Sequence, residues 1–260
     1  MSPQARVRAL RSRIAALETP APAAGVLPFG DARLDRALAG GGLALGRWHE
    51  AAGEGLELET AAAAGAFVAG LATPLARRGA AVWILRRDDL YAPGLAGLGF
   101  PAERLIQVRV RTDAEALAAL EEALASHGVT VAVAEVETAD LTAGRRLQLA
   151  CETTGATGFC LTRRPFGGPA QREQSGSANG SAAATRWRIA PAPSQPGPGE
   201  PGLGAPRWSV RLERSRGGRT GAWLIEKRQG EVSDGAFPLR VVAELGDRVR
   251  APAPPERLAG

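Results

Sequence analysis

The chain has 260 residues, which is enough for one main domain with appendages. Apolar residues make up 45% and charged residues 23%, a globular composition that excludes disorder over most of the length. The net charge of +5 is carried almost entirely by arginine, because Lys227 is the single lysine, and it is consistent with a nucleic-acid partner, a GC-rich coding bias or ordinary surface salt bridges.

The chain begins with a predicted amphipathic helix over residues 1–19. Val7, Leu10, Ile14 and Leu17 recur at spacings of three and four, which places them on one face. This apolar face either packs on the chain's own core or docks as an arm on another subunit, so the four residues are the candidates for a partner interface. A Pro/Ala linker over 20–25 follows and is compatible with both alternatives.

Strand-like and helix-like segments alternate from residue 26 to about residue 164, which predicts an α/β fold with a mostly parallel sheet flanked by helices. The predicted strands cover 47–52, 81–86, 105–110, 129–136 and 157–162. The predicted helices cover 58–78 with an interruption at Pro74, then 113–126 and 144–154. The second helix is the best defined, because Thr112 and Glu115 have the spacing of a capping box and Gly128 follows its end.

The C-terminal part is predicted to contain two mobile loops and a β-hairpin extension. Residues 165–184 and 191–206 are rich in Gly, Ser or Pro and lack periodicity, as expected of loops. Strand-like segments cover 185–189, 207–215 and 220–227, and Gly217 and Gly218 mark the turn of the hairpin. A terminal strand is expected within 231–246, at 239–244, and the proline-containing tail 247–260 is expected to be disordered.

Metal binding and membrane insertion find no support in the sequence. Cys151 and Cys160 form no CxxC pair and have no histidine cluster nearby, so we interpret them as small buried residues in a reducing compartment. No apolar run approaches membrane-spanning length, and the N-terminus lacks the apolar core of a signal peptide. We therefore expect a cytoplasmic protein without a structural metal or disulfide.

Residues 30–60 carry the most specific pattern in the sequence, GDARLDRALAGGGLALGRWHEAAGEGLELET. A helix containing Leu34 and Asp35, a glycine-rich bend and the Gly46-Arg47 pair lead into the first predicted core strand. This order resembles the start of the RecA ATPase core, in which the first strand ends in the phosphate-binding loop. The resemblance extends more weakly to about residue 227 and implies a RecA-like P-loop-type core over 26–230.

The phosphate-binding loop implied by this resemblance is degenerate. A working loop reads Gly-x-x-x-x-Gly-Lys-Ser/Thr, because backbone N–H groups wrap the phosphates, lysine neutralises them and the hydroxyl holds magnesium. In the matching register, Gly53 is followed by four residues and then by Leu58, Glu59 and Thr60. Leu58 is bulky where backbone must approach phosphate, and Glu59 is negative where lysine is required. Two like charges at ~4 Å repel by roughly 4 kcal/mol at an effective dielectric of about 20, so we expect phosphate binding to be lost.

The other catalytic positions implied by the RecA resemblance are altered as well. The water-activating glutamate would fall at residues 86–87, although Asp88 or Asp89 could serve in a shifted register. The strand over 129–136 carries Glu135 in place of the usual Walker B aspartate, a tolerable change by itself. We interpret Glu59, Arg87 and Glu135 as surface charges at loop ends, without a chemical role.

Candidates for DNA contact follow the strand over 157–162, in the place of the second DNA-binding loop of the RecA family. They are the cationic and aromatic side chains Arg163, Arg164, Phe166 and Arg172. The first DNA loop of that family is reduced here to residues 140–144. Trp187 and Trp208 are interpreted as core residues of their strands, with an interface position as the alternative.

One branch of RecA relatives combines a degraded phosphate-binding loop, a Gly/Ser-rich loop followed by AATRWR (183–188 here), and a later Arg-Trp strand with an R-GG-R turn. The chain resembles this branch, the ImuA family. The resemblance implies a SulA/RecA-like accessory protein of damage-induced translesion synthesis. We expect no cofactor, because the residues of the phosphate-binding loop are themselves altered. It also implies the partners: ImuB, a Y-family polymerase homologue; an error-prone replicative-type polymerase, contacted indirectly; and RecA.

The resulting hypothesis is a non-catalytic adaptor that presents a RecA-like core to ImuB and RecA. Two alternatives stay open at this point. The chain could be an ATPase of the RecA/RadA type with an altered phosphate-binding loop, or a cell-division inhibitor of the SulA type.

Overall fold

The computed structural model describes residues 25–163, 182–197, 199, 201–230, 232–233 and 235–246. Four predicted segments lie wholly or mostly outside the described residues: the N-terminal helix, the linker after it, most of the first predicted loop and the C-terminal tail. The predictions made for them therefore stay predictions.

Eleven strands and five α-helices occur within the described residues. The strands are β1 (Val26–Leu27), β2 (Leu43–Ala44), β3 (Trp48–Gly53), β4 (Ala80–Leu85), β5 (Leu105–Arg109), β6 (Val129–Val136), β7 (Thr157–Thr162), β8 (Thr185–Ala192), β9 (Arg207–Ser215), β10 (Gly221–Lys227) and β11 (Leu239–Glu244). The helices are α1 (Ala32–Asp35), α2 (Glu57–Ala76), α3 (Ala92–Gly97), α4 (Asp113–Ala125) and α5 (Leu141–Thr154). Short 3-10 turns occur at Ala39–Gly41 and Ala102–Arg104.

Strands β3 to β11 form one nine-stranded sheet in the order β11-β10-β9-β8-β3-β7-β6-β4-β5. The six strands from β8 to β5 run parallel, because every pairing among them is parallel. Strands β9, β10 and β11 continue the sheet in antiparallel fashion. The predicted α/β fold, with a mostly parallel sheet and a C-terminal hairpin extension, is confirmed, and β11 lengthens that extension by one strand.

The helices cover the two faces of the sheet and create two apolar clusters. Helix α2 packs in the first cluster, which contains Phe67, Trp83 and Trp187. Helices α4 and α5 belong to the second cluster, which contains Trp48 and Leu120. Trp187 is fully buried and Trp208 is nearly so, which confirms that both tryptophans are core residues.

Helix α2 runs without interruption through Pro74, so the predicted interruption is wrong. Pro74 lies in the last turn, where its missing N–H removes only the helical bond to the carbonyl of Gly70. By length and composition alone this helix could cross a membrane, but 61% of the relevant window is buried inside the protein. Its apolar residues are accounted for by the core that it forms with the sheet.

The starts of α4 and α5 are set by side-chain caps. The predicted capping box is present in a modified form. Thr112 Oγ1 accepts a hydrogen bond from the Glu115 N–H (3.2 Å), but Glu115 Oε2 accepts from the N–H of Arg111 (2.8 Å), the residue before the N-cap. Asp140 caps α5 by accepting from the Ala143 N–H at 2.7 Å, so this helix begins at Leu141. The predicted start at residue 144 is therefore too late, and residues 140–144, predicted as a reduced DNA loop, are the cap and first turn of α5.

The predicted mobile loops are shorter than expected where the structure describes them. Ala183 is fully buried, and the Ala184 N–H donates to the Trp48 carbonyl at 2.9 Å, so the end of the first loop is packed against the core. Strand β8 continues to Ala192 and takes the first two residues of the second loop. The hairpin between β9 and β10 is present, with Gly217 in its turn.

Both cysteines are buried free thiols. Burial raises the pKa of the Cys151 thiol to about 12 and raises the pKa of Cys160 as well. Because the thiolate is the reactive form, neither side chain is a nucleophile at neutral pH, which agrees with their interpretation as small core residues.

Candidate functional site

The predicted phosphate-binding loop lies where the RecA resemblance placed it, between the carboxyl end of β3 and the first turn of α2. Gly53 is the last residue of β3, and Leu58, Glu59 and Thr60 belong to the first turns of α2. Strands β4, β6 and β7 end at the same edge of the sheet, because they run parallel to β3. This edge is where parallel α/β sheets bind ligands, so the residues that occupy it decide what the site can do.

The loop is closed on itself by Thr60. A Cβ placed on Gly53 would lie 2.1 Å from Thr60 Oγ1, so the threonine side chain packs directly on the glycine. Thr60 is 2% exposed, and its hydroxyl donates a hydrogen bond to the Leu56 carbonyl at 2.9 Å. The hydroxyl that would hold magnesium in a working loop is therefore used within the first turn of α2.

The two substituted positions of the loop face solvent. Leu58 is 86% exposed, and Glu59 is exposed as well. Their side chains thus lie outside the core, and the sequence provides no lysine at position 59 to neutralise a phosphate.

Arg163 occupies the centre of the site with three carboxylates around its guanidinium. It follows the carboxyl end of β7, and its side chain is 11% exposed. Nε donates to Glu57 Oε1 at 2.6 Å, Nη2 donates to Asp89 Oδ2 at 2.7 Å, and Nη1 donates to Glu135 Oε1 at 3.1 Å. The carboxylates come from the start of α2, the segment after β4, and β6, so one arginine joins three elements of the fold. We call these four residues the Arg163 cluster.

The Arg163 cluster carries an excess of negative charge in a buried setting. Glu135 is 1% exposed, so its interpretation as a surface charge is wrong: it belongs to β6, which the core covers. Burial raises the pKa of Glu135, the Arg163 guanidinium opposes that rise, and the carboxylates of Asp89 and Glu57 add to it. Burial by itself would lower the pKa of Arg163, but the surrounding carboxylates raise it, so the arginine stays charged.

The remaining catalytic candidates are also engaged in ion pairs. Arg86 contacts Asp113 at 2.7 Å and Glu137 at 2.9 Å. Asp88 contacts Arg109 at 2.7 Å, whereas Asp89 belongs to the Arg163 cluster. A shifted water-activating carboxylate would have to leave its arginine first. Within the described residues, no group of three His, Cys, Asp or Glu side chains is arranged to hold a metal ion.

Of the four candidate DNA contacts, one lies within the described residues and three lie outside them. Arg163 is held by its three carboxylates, so in this arrangement its guanidinium is not available to a phosphate. Arg164, Phe166 and Arg172 lie outside the described residues, as do Val7, Leu10, Ile14 and Leu17. DNA contact by the loop and docking by the N-terminal helix stay predictions.

Glu57 and Asp89 were not predicted as partners of Arg163. Asp89 was predicted only as a water-activating base in a shifted register. A partial signal was available, because the carboxyl ends of the strands in a predicted parallel sheet meet at one edge. The structure adds that β4, β6 and β7 are neighbours in the sheet. An arginine after one of these strands and carboxylates at the ends of the others predict an ion pair.

Comparison with curated proteins decides the family. No protein-family model matches the chain. It is 54% identical over 248 residues to Protein ImuA of Caulobacter vibrioides, a match that covers 95% of this chain and 99% of the relative and recurs in two strains of that organism. The chain belongs to the ImuA family.

Among solved structures, this ImuA-family chain shares its fold with the RadB recombinase. The alignment covers 77% of this chain and 96% of RadB, with a TM-score of 0.51 and 14% identity, so the likeness concerns the fold alone. The predicted RecA-like core is thereby confirmed. SulA from Pseudomonas aeruginosa aligns with 45% of this chain and 98% of its own length, with 20% identity and a TM-score of 0.39, which is too low to establish a common fold.

Proposed function

We propose that this ImuA-family chain is a non-catalytic RecA-like adaptor in DNA-damage-induced translesion synthesis. Family membership and the RecA-like fold support the accessory role in mutagenesis. The observation that carries the non-catalytic part is the Arg163 cluster, which fills the edge of the sheet where a P-loop ATPase holds phosphate and magnesium. The packing of the Thr60 side chain directly on Gly53 also supports the absence of nucleotide binding.

The proposed adaptor acts through protein contacts in the cytoplasm. Its direct partners are ImuB and RecA, and an error-prone replicative-type polymerase is reached indirectly. The contact element is the N-terminal helix, whose apolar stripe consists of Val7, Leu10, Ile14 and Leu17. A stripe with this spacing can insert into an apolar groove of a partner, as amphipathic helices commonly do.

Titration with labelled ATP and magnesium tests the non-catalytic part. We expect no binding in the micromolar range, because the loop has no lysine and the Thr60 hydroxyl is used within α2. Thr60→Ala should behave like the unchanged chain. Micromolar ATP binding that Thr60→Ala abolishes would show a working, altered phosphate-binding loop and would refute the proposal.

Pull-down with ImuB and RecA tests the contact element. Replacing Val7, Leu10, Ile14 and Leu17 by serine should abolish binding to at least one of the two partners. Arg8→Ala with Ser12→Ala, one turn apart on the predicted polar side of the same helix, is the control and should retain binding. If the serine variant unfolds at the temperature of the unchanged chain and still binds both partners, the N-terminal helix is not the contact element.

A further inference from the structure

An arginine-lined cleft lies far from the Arg163 cluster, at the opposite end of α2. It is open to solvent, has a volume of about 790 Å³, and is bounded by the end of α2, the turn that precedes β5 and the segment that precedes β11. Helix α2 has 20 residues, so its two ends are separated by about 30 Å. The cleft is therefore a separate site from the degenerate nucleotide site.

The cleft concentrates positive charge from two separate segments. Arg77 and Arg78 follow α2, and Arg104 closes the 3-10 turn. Glu103 is the one acidic side chain among the described residues that line the cleft. Arg77 is held in place, because its Nη1 donates to the Val232 carbonyl at 3.3 Å. Counted over the lining residues that the structure describes, three guanidinium groups stand against one carboxylate, a net charge of +2.

Arg78 and Arg104 are the side chains that a ligand could recruit. Both residues are exposed, and neither forms an ion pair within the part of the chain that the structure describes. A Cβ on Gly235 would lie 3.5 Å from Arg78 Nη2, so the Arg78 guanidinium reaches the opposite wall of the cleft. An anion bound here would accept hydrogen bonds from guanidinium N–H groups that form no ion pair with the described residues.

The lining selects a phosphate backbone among the anionic ligands. Arginine presents a planar fork of donors that matches the oxygens of a phosphate. Among the described residues of the lining, Pro74 and Pro101 are the only apolar side chains, so these residues offer no pocket for the apolar anchors of a peptide. None of the same residues is an aromatic side chain on which a base could stack. We infer that this cleft binds the sugar–phosphate backbone of a nucleic acid, without reading its sequence.

The test measures binding of a fluorescently labelled single-stranded oligonucleotide at several salt concentrations. The variant is Arg78→Glu with Arg104→Glu, and we expect it to bind at least about tenfold more weakly at low salt. The slope of log affinity against log salt should become shallower by about 1.4, because each phosphate contact on a single strand contributes about 0.7. The control is Arg36→Glu with Arg145→Glu, which makes the same change in net charge at two exposed positions outside the cleft, and its affinity should change by less than about twofold.

Competition identifies the chemistry of the ligand. Inorganic polyphosphate should displace the oligonucleotide from the unchanged chain, and poly-glutamate of equal charge should not. Equal displacement by poly-glutamate would assign the cleft to an acidic protein segment and overturn the inference. The inference would also be overturned if binding of the oligonucleotide did not depend on salt, or if the variant and its control lost equal amounts of affinity. Thermal unfolding of each variant checks that it folds, and the pull-down with ImuB and RecA is read separately, so either proposal can fail alone.

Discussion

His49 is a fully buried residue whose hydrogen bonds define its protonation state. Its Nε2 lies 2.9 Å from the Ala44 carbonyl, which can only accept, so Nε2 carries the proton. Its Nδ1 lies 2.8 Å from Thr185 Oγ1, whose hydroxyl donates to it, while the Trp187 indole N–H donates to the same oxygen at 2.6 Å. The network is complete only when His49 is neutral, and burial lowers its pKa from 6.5 to about 4.

The neutral His49 predicts a loss of stability at acid pH. Above pH 6.5 the histidine is neutral in both the folded and the unfolded chain, so it adds no pH dependence. Between pH 6.5 and pH 4 only the unfolded chain binds the proton, so the free energy of unfolding falls, by roughly 3 kcal/mol in total. The free energy of unfolding, measured with urea at several pH values, should lack this fall in the His49→Gln variant. The His127→Gln variant, changed at the exposed second histidine, should keep it. Identical profiles for the two variants would contradict the assignment.

Arg163 holds together three carboxylates that would otherwise repel one another, and two of them, Glu57 and Glu135, are buried. Arg163→Ala leaves Glu57 and Glu135 buried without a counter-charge, so we expect the free energy of unfolding to fall by roughly 3–5 kcal/mol near neutral pH. Arg87→Ala is the control: Arg87 contacts Asp89 at 3.5 Å, but its side chain is 37% exposed, and roughly 1 kcal/mol or less should be lost. Urea unfolding of both variants measures the difference, and equal losses would mean that the cluster contributes no more than a surface ion pair.

At the scale of residues, the sequence predicts which residues of the phosphate-binding loop are altered, but it does not predict the ion pairs that occupy the site. Glu59 in place of lysine and the bulky Leu58 are visible when the consecutive residues 53–60 are aligned with the loop pattern. The ion pairs of Arg163 with Asp89 and Glu135 join residues that are 74 and 28 positions apart. Such pairs depend on which strands are neighbours, and strand order is not written in local spacing.

Helix α2 packs closely against β11 at Gly70 and has free space at Gly65, so its two glycines allow a matched test of this packing. A Cβ on Gly70 would lie 3.0–3.2 Å from three side-chain atoms of Leu239 on β11, whereas a Cβ on Gly65 would meet no atom within 4 Å. Gly70→Ala should therefore lower the free energy of unfolding by roughly 1–3 kcal/mol, because Leu239 must move. Gly65→Ala should raise it by roughly 0.5–1 kcal/mol, because alanine favours the helix over glycine.

Thermal or urea unfolding of the two alanine variants checks the sign of each change. The comparison is internal, because both substitutions add one methyl group to the same helix. Stabilisation by Gly70→Ala would show that α2 and β11 are less tightly packed than their contact implies.

At the scale of elements, the parallel strands are predicted well and the helix ends less well. Strands β6 and β7 have their predicted bounds, because strands that are buried on both faces read as continuous apolar runs. Helix α5 begins three residues before its predicted start, because the Asp140 cap precedes the apolar repeat that marks the helix. The interruption expected in α2 does not occur, because a proline in the last turn removes only one hydrogen bond.

At the scale of the whole molecule, the nine-stranded sheet has a centre that is assembled from both halves of the chain. Strand β8 lies between β3 and β9, so the segment that follows residue 181 completes the neighbourhood of the phosphate-binding strand. Trp187 of β8 lies within 5.8 Å of Phe67 and 6.3 Å of Phe29 between ring centroids, in the first apolar cluster. A chain without β8 would expose these rings and one edge of β3 to water.

This arrangement predicts that residues 1–163 do not fold alone, although they contain five of the six parallel strands. Expressed by itself, this fragment should lack a cooperative unfolding transition by circular dichroism. Mixed with residues 182–260 it should regain one, because β8 then pairs with β3 through backbone hydrogen bonds and Trp187 fills its place beside Phe67. Trp187→Ala in the second fragment should prevent this complementation, since losing a buried tryptophan costs roughly 3–5 kcal/mol and a fragment complex has little stability to lose. If residues 1–163 alone unfold as cooperatively as the whole chain, the antiparallel half is an independent addition to the RecA-like core and not a part of its folding unit.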